Sequence, residues 1–116
     1  MKYMLLMYAN ESFVPETPED QEAVAPRAWY ALMEEMKTAG VLLSNNGLSP
    51  VTNATTVRMR EGKTLITDGP FAETHEQLGG FFLLECKDLD EALRWAEKIP
   101  HAKYGSVEVR PLWSGA

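Results

Sequence analysis

Apolar and polar positions along the chain set out an alternation of strands and helices. Residues 2–9 are apolar almost throughout, a run that predicts a strand covered on both faces. Asn10 to Pro18 reads as a loop. Thr17-Pro18-Glu19-Asp20 then opens a helix, with Thr as cap, Pro at the first helical position and carboxylates at the positive end of the helix dipole. Pro26 should kink a helix of residues 18–39 or divide it near Ala25. Beyond it Trp29, Leu32, Met33 and Met36 recur at helical spacing, and Gly40 is a natural stop. Val41-Leu42-Leu43 begins a second strand that should end in the turn formers Ser44-Asn45-Asn46-Gly47. Thr55 to Arg60 alternates, Glu61-Gly62 is a tight turn, and Lys63 to Thr67 returns as the second arm of a hairpin. Gly80 to Cys86 predicts a buried strand. Asp88 and Glu91 have capping-box spacing at the start of a helix turning Leu89, Ala92, Leu93 and Ala96 inward, and Ser106 to Leu112 is the last strand.

Helices of this kind against one mainly antiparallel sheet give an α+β sandwich of the ferredoxin-like, split βαβ type with an inserted hairpin. Two helices cover one face of such a sheet, yet the first and fourth strands are apolar on both sides. A second copy of the chain is the simplest cover for the other face, so a homodimer is expected.

Composition narrows the partners. The 116 residues carry a net charge of −6, and the basic residues are scattered rather than clustered, which argues against a nucleic-acid surface. No apolar run approaches the roughly 18 residues of a membrane span, and Asn10, Glu11 and Ser12 interrupt the N-terminal run too early for a signal peptide. Cys86 is the single cysteine, so no disulfide framework is available and a cytoplasmic setting is expected. The length suits one domain over residues 1–116.

Asp68-Gly69-Pro70-Phe71-Ala72-Glu73-Thr74, followed by Glu76-Gln77-Leu78-Gly79-Gly80-Phe81, resembles the signature of the DGPF family within the YCII-related superfamily. Tyr3-Met4-Leu5-Leu6-Met7-Tyr8 and Tyr104-Gly105-Ser106-Val107-Glu108-Val109-Arg110-Pro111 resemble its two ends. The resemblance implies a dimeric α/β barrel with a cleft between sheet and helices. It also implies relatives proposed to be enzymes through a His–Asp pair, one branch resembling dehydrochlorinases of chlorinated hydroquinones. Counting back from Gly40, Trp29 stands where that branch has its histidine, and Ile99 stands near its aspartate. Neither half of the pair is present.

The candidate catalytic residue is Asp68, either a turn residue accepting backbone N–H bonds or a general base at a strand end. Tyr8, Trp29, Phe71, Glu73 and Arg110 are the candidate ligand-binding residues, with Arg110 either an uncompensated cation or the partner of Glu108. Tyr8, Trp29 and Arg110 could line one cavity. Glu73, His75 and Glu76 follow no specific metal-ligand spacing, and neither a metal nor a cofactor is expected. His101, beside Pro100, reads as a capping cation at a helix end, and Cys86 as an inert small hydrophobe. Two functions remain open. One is a homodimeric small-molecule-binding protein or cofactor-free enzyme of isomerase- or lyase-like proton-transfer chemistry. The other is a non-catalytic regulatory or binding module, which the family links to extracytoplasmic-function sigma factors.

Overall fold

The computed structural model describes residues 1–114. In chain order it contains β1 (Lys2–Ala9), α1 (Pro18–Val24), α2 (Pro26–Thr38), β2 (Leu42–Gly47), a short 3₁₀ turn (Val51–Asn53), β3 (Thr55–Arg60), β4 (Lys63–Asp68), β5 (Gln77–Glu85), α3 (Leu89–Glu97), α4 (His101–Tyr104) and β6 (Ser106–Pro111). Strands β2, β5, β1 and β6 form one antiparallel sheet in that order, while β3 and β4 form a separate two-stranded sheet. This α+β arrangement is consistent with a ferredoxin-like fold. Among the described residues no helix is long and apolar enough to cross a membrane.

Local chemistry explains the boundaries. Thr17 accepts the Asp20 amide at 3.0 Å, and Pro26, which has no N–H to give, divides the helical stretch at an extended Ala25. Asp88 accepts the Glu91 amide at 2.9 Å while the Glu91 carboxylate accepts the Lys87 amide at 2.8 Å, so two orphan donors at the head of α3 are satisfied. The hairpin turn has positive φ at both Glu61 (52°) and Gly62 (75°), the geometry that matches the twist of its arms.

Three expectations need correction. Strand β2 does not stop at Ser44; Asn45, Asn46 and Gly47 stay in register with Phe82, Phe81 and Gly80, because the ladder of β5 outweighs their turn preference. Strand β5 begins at Gln77, three residues early, since Gln77 and Leu78 pair with Ala9 and Tyr8 across a bulge at Met7/Tyr8. On α3 the buried stripe runs through Ala92 and Ala96, with Trp95 packed against the core, and leaves Leu89 and Leu93 exposed.

The core lies between the sheet and its helices. Tyr3, Leu5 and Met7 of β1 and Phe82 and Leu84 of β5 point into it and meet Leu32, Met36, Ala92, Ala96 and Ile99. Their neighbours Met4, Leu6, Tyr8, Phe81 and Leu83 lie on the opposite face and are half-buried. In the single chain, therefore, β1 is covered on one face rather than two.

Candidate functional site

The helix-facing side of the sheet opens into a cleft of about 420 Å³ between α1, α2, α4 and the ends of β1, β2 and β5. Its walls are Trp29, Tyr30 and Met33 from α2, Met7 and Phe82 from the sheet, Asn45 from β2 and His101 from α4. The divided helix presents Trp29 and Met33 on one side, four residues apart, as helical spacing dictates. Trp29 stacks on Phe82 with centroids 6.1 Å apart and 19° between planes. On its other side Trp29 meets the edge of the His101 ring at 5.1 Å and 67°. Asn45 is held by donating from Nδ2 to the Met33 sulfur at 3.6 Å.

His101 is the imidazole of this cleft. Pro100 follows the buried Ile99 and starts the short α4, whose amides return to Ile99, Pro100 and His101 carbonyls. The Nδ1 of His101 lies 3.4 Å from the Tyr104 hydroxyl, and the rings of the two are 5.1 Å apart. Tyr104 is in turn stacked by Phe13 at 5.0 Å and 3°. Burial pushes the His101 imidazole below its ordinary pKa, opposed by the nearby Glu76 carboxylate, and burial pushes the Tyr104 hydroxyl up. Half-buried among aromatic rings at the first position of α4, with its protonated form disfavoured by burial, His101 does not serve as the capping cation expected of it. Lone histidines are ambiguous in sequence; the signal here is the aromatic set Trp29, Phe13 and Tyr104, whose meeting no spacing reveals.

The Asp68–Gly80 motif forms a different part of the surface. Gly69 sits at φ +103°, a conformation that favours glycine, and its amide bonds the Ala54 carbonyl at 2.7 Å. Its own carbonyl accepts from the Thr56 hydroxyl at 2.8 Å, and the Phe71 carbonyl accepts from Arg58 at 2.8 Å. Further on, the Thr74 hydroxyl donates to the Glu76 carbonyl at 2.6 Å, and the Glu76 carboxylate accepts from Ser106 at 2.7 Å. The motif is a connection pinned through its carbonyls. Among the described residues the Asp68 carboxylate accepts no hydrogen bond, backbone or otherwise; it is exposed at the end of β4 and shares an open groove with Glu73 and Gln77. Phe71 is 73% exposed beside a second depression that Tyr8 also lines.

The candidate residues are thus spread over the molecule. Trp29 lines the cleft; Asp68 and Glu73 share the groove by the hairpin; Tyr8 and Phe71 share the depression between. The expectation that Tyr8, Trp29 and Arg110 line one cavity is corrected, because Tyr8 is on the sheet face opposite the helices. Arg110 lies on that face as well, facing Met4 in the ladder. Two residues apart on β6, Glu108 and Arg110 necessarily share a side, and they pair at 2.8 Å. The Tyr8 hydroxyl donates to the same Glu108 at 3.4 Å, so Arg110 is a compensated cation. The Arg110 contact holds the Glu108 carboxyl below the usual range. Cys86 is buried, and burial raises its thiol pKa, in keeping with an inert hydrophobe. Among the described residues no group of three His, Cys, Asp or Glu side chains could hold a metal ion.

Sheet and covering helices together define a small α+β domain with an aromatic-lined cleft on its helix-facing side. The chain belongs to the YCII-related family, whose domain model matches residues 1–114. An uncharacterised protein of Rhizobium meliloti (strain 1021) is 41% identical over 114 residues, 97% of this chain and 92% of that one. A solved structure with the same fold is a 5-chloro-2-hydroxyhydroquinone dehydrochlorinase from Burkholderia phenoliruptrix AC1100, in complex with 2,5-dihydroxybenzoquinone. It has a TM-score of 0.51 and 14% identity, and the match covers 97% of this chain and 94% of that one. His101 supplies an imidazole to the cleft from α4, whereas Trp29 stands where the resemblance would put a histidine and the fully buried Ile99 lies near where it would put an aspartate.

Proposed function

We propose that this chain is a DGPF-type YCII-related protein that binds a compact aromatic small molecule in the Trp29 cleft and carries out cofactor-free, isomerase- or lyase-like proton transfer there. The observation that carries this reading is the cleft itself. Its volume lies in the range of small-molecule sites, its walls are mostly aromatic and aliphatic side chains on helices and strands, and one half-buried imidazole lines it. The fold shared with a dehydrochlorinase in complex with a dihydroxybenzoquinone supports it by analogy. Asp68, exposed in a shallow groove, would act on a ligand only if a partner subunit closed that groove over it.

The active form in this reading is a homodimer, a dimeric barrel in which a second copy covers Met4, Leu6, Tyr8, Phe81 and Leu83. Sedimentation at micromolar concentration should give a dimer, and Leu6→Lys, which places a charge in the covered face, should give a monomer; a monomeric wild type would remove this part of the proposal. The buried, unpaired Cys86 suits a cytoplasmic protein.

Thermal shift against a panel of uncharged aromatics tests the cleft, because a ligand that binds the folded state raises Tm by mass action. The expected result is a rise for at least one phenol- or quinone-like compound, lost in Trp29→Ala and kept in Asp68→Asn. A hit that survives Trp29→Ala but fails in Asp68→Asn would move the site to the motif groove.

A regulatory module is the second reading, favoured by the resemblance, in which Trp29 and a position near Ile99 fall where the superfamily's acid–base pair would stand. There the cleft senses its ligand without converting it, and a sigma factor is the partner that family context suggests. Ligand binding with no turnover, together with a ligand-dependent change in dimer affinity for such a partner, would support it.

A further inference from the structure

The proposed binding cleft has one base, and its geometry says which atom acts. Of the two ring nitrogens of His101, Nδ1 is turned to the Tyr104 hydroxyl at 3.4 Å. Nε2 lies against Gly79, where a side-chain Cβ would come within 3.6 Å of it, and Gly79 is part of the cleft wall. Among the described residues Nε2 has no hydrogen-bond partner. The edge contact with Trp29 fixes the ring plane from one side and Tyr104 from the other. An alanine at position 79 would place its Cβ in ordinary contact with Nε2, and the glycine leaves that space free.

Among the described residues the rest of the lining offers no cation. Trp29, Met33 and Phe82 are apolar, and Asn45 is the one amide side chain with a described partner on α2. Of charged groups, Glu76 is the one whose field reaches the imidazole, and it favours the protonated form; Tyr104 is the other titratable neighbour. An anionic ligand entering such a site would meet no counter-charge, whereas a neutral ring with an acidic O–H would meet a base positioned to take its proton.

Resting on the cleft reading above, we propose that His101 is the proton acceptor of this site. Its Nε2 takes the hydroxyl proton of an uncharged hydroxylated aromatic ring. The ring O–H bond breaks as the Nε2–H bond forms, and the products are a ring oxyanion and the His101 imidazolium, with Glu76 compensating the new positive charge. Tyr104 is a positioning residue that holds Nδ1 and thereby aims Nε2. The substrate class is a compact phenol or hydroquinone-like ring in its neutral form.

4-Nitrophenol is a suitable probe, since its phenolate absorbs visible light and the neutral phenol does not. Titrated with the full-length protein near the probe's own pKa, the bound probe should show a larger phenolate fraction than the free probe, and that excess should be lost in His101→Gln while binding persists. Tyr104→Phe should reduce the excess without abolishing it, an effect a merely structural role would not produce. Nitrogen NMR of labelled wild-type histidine gives a reading that does not depend on how His101→Gln folds: the His101 ring should convert to the doubly protonated form when the probe is added. A phenolate excess undiminished in His101→Gln, a probe bound as neutral phenol, or a His101 ring that stays neutral would overturn the inference and leave the cleft intact. Failure of the probe to bind, or binding indifferent to Trp29→Ala, would instead overturn the cleft reading, and the inference with it.

Discussion

Replacing Phe82 by alanine is expected to lower unfolding stability by about 3–5 kcal/mol, the usual cost of removing a buried phenyl ring. Phe82 is 1% exposed, sits opposite Leu5 in the central strand pair and carries the Trp29 ring on its face. The ring therefore fills the core and forms the floor of the cleft at once. Leu5, Met36 and Leu84 beside it are themselves fully buried and held by the sheet or by α2, so the void does not close from the core side. In urea, with m near 1–3 kcal/mol/M, the midpoint should fall by more than 1 M. A loss under about 1 kcal/mol would mean that the site collapses freely and that the packing described for this layer is wrong.

Gly105→Ala is expected to be comparably damaging for the opposite reason. A Cβ at Gly105 would run into the Tyr8 carbonyl oxygen and approach the Ala9 Cα at 3.0 Å, and backbone cannot rotate away as a side chain can. Overpacking typically costs about 1–3 kcal/mol, and a clash with backbone belongs at or above the upper end. The displacement has a functional side, since Gly105 joins α4 to β6 and its amide bonds the His101 carbonyl at 2.7 Å. Shifting that joint shifts the imidazole. Gly79→Ala is the matched control: its Cβ would make ordinary contact with Nε2 at 3.6 Å and should leave stability nearly unchanged while narrowing the approach to His101. Chemical denaturation of the two variants side by side checks the pair, and equal stabilities would contradict the account.

The legible parts of the fold are those set by local chemistry. The Thr17 cap, the break at Pro26, the Glu61-Gly62 turn and the Asp88/Glu91 pairing act over a few residues, and each forms where the chain predicts it. The parts that sequence misplaces depend on partners far along the chain. Asn45 to Gly47 are turn formers by themselves, and only the neighbouring Gly80–Phe82 segment makes them strand. The α3 stripe misleads because Leu89 and Leu93 outweigh alanine in any hydrophobic count, whereas the close approach of helix to sheet selects the small Ala92 and Ala96.

The candidate site divides in the same way. Trp29 is identifiable from its helical stripe and does line the cleft. The immediate neighbourhood of His101, a prolyl helix end, suggests a surface role instead. Its actual environment comes from Trp29, 72 positions earlier, and from the return of the sheet at Gly79. Conversely the Asp68–Thr74 motif draws attention by its density of turn formers and carboxylates. Its hydrogen bonds serve the architecture, since Arg58, Thr56 and Ala54 hold the connection between β4 and β5, and Asp68 takes no share in them.

Amide and methyl NMR of the labelled protein, titrated with the best aromatic hit from the thermal panel, tests the central claim most directly. Shifts concentrated on Met7, Met33, Asn45, Phe82 and His101 are the predicted result, placing the ligand in the Trp29 cleft. Shifts concentrated on Asp68 to Thr74, with the cleft residues unmoved, would contradict it.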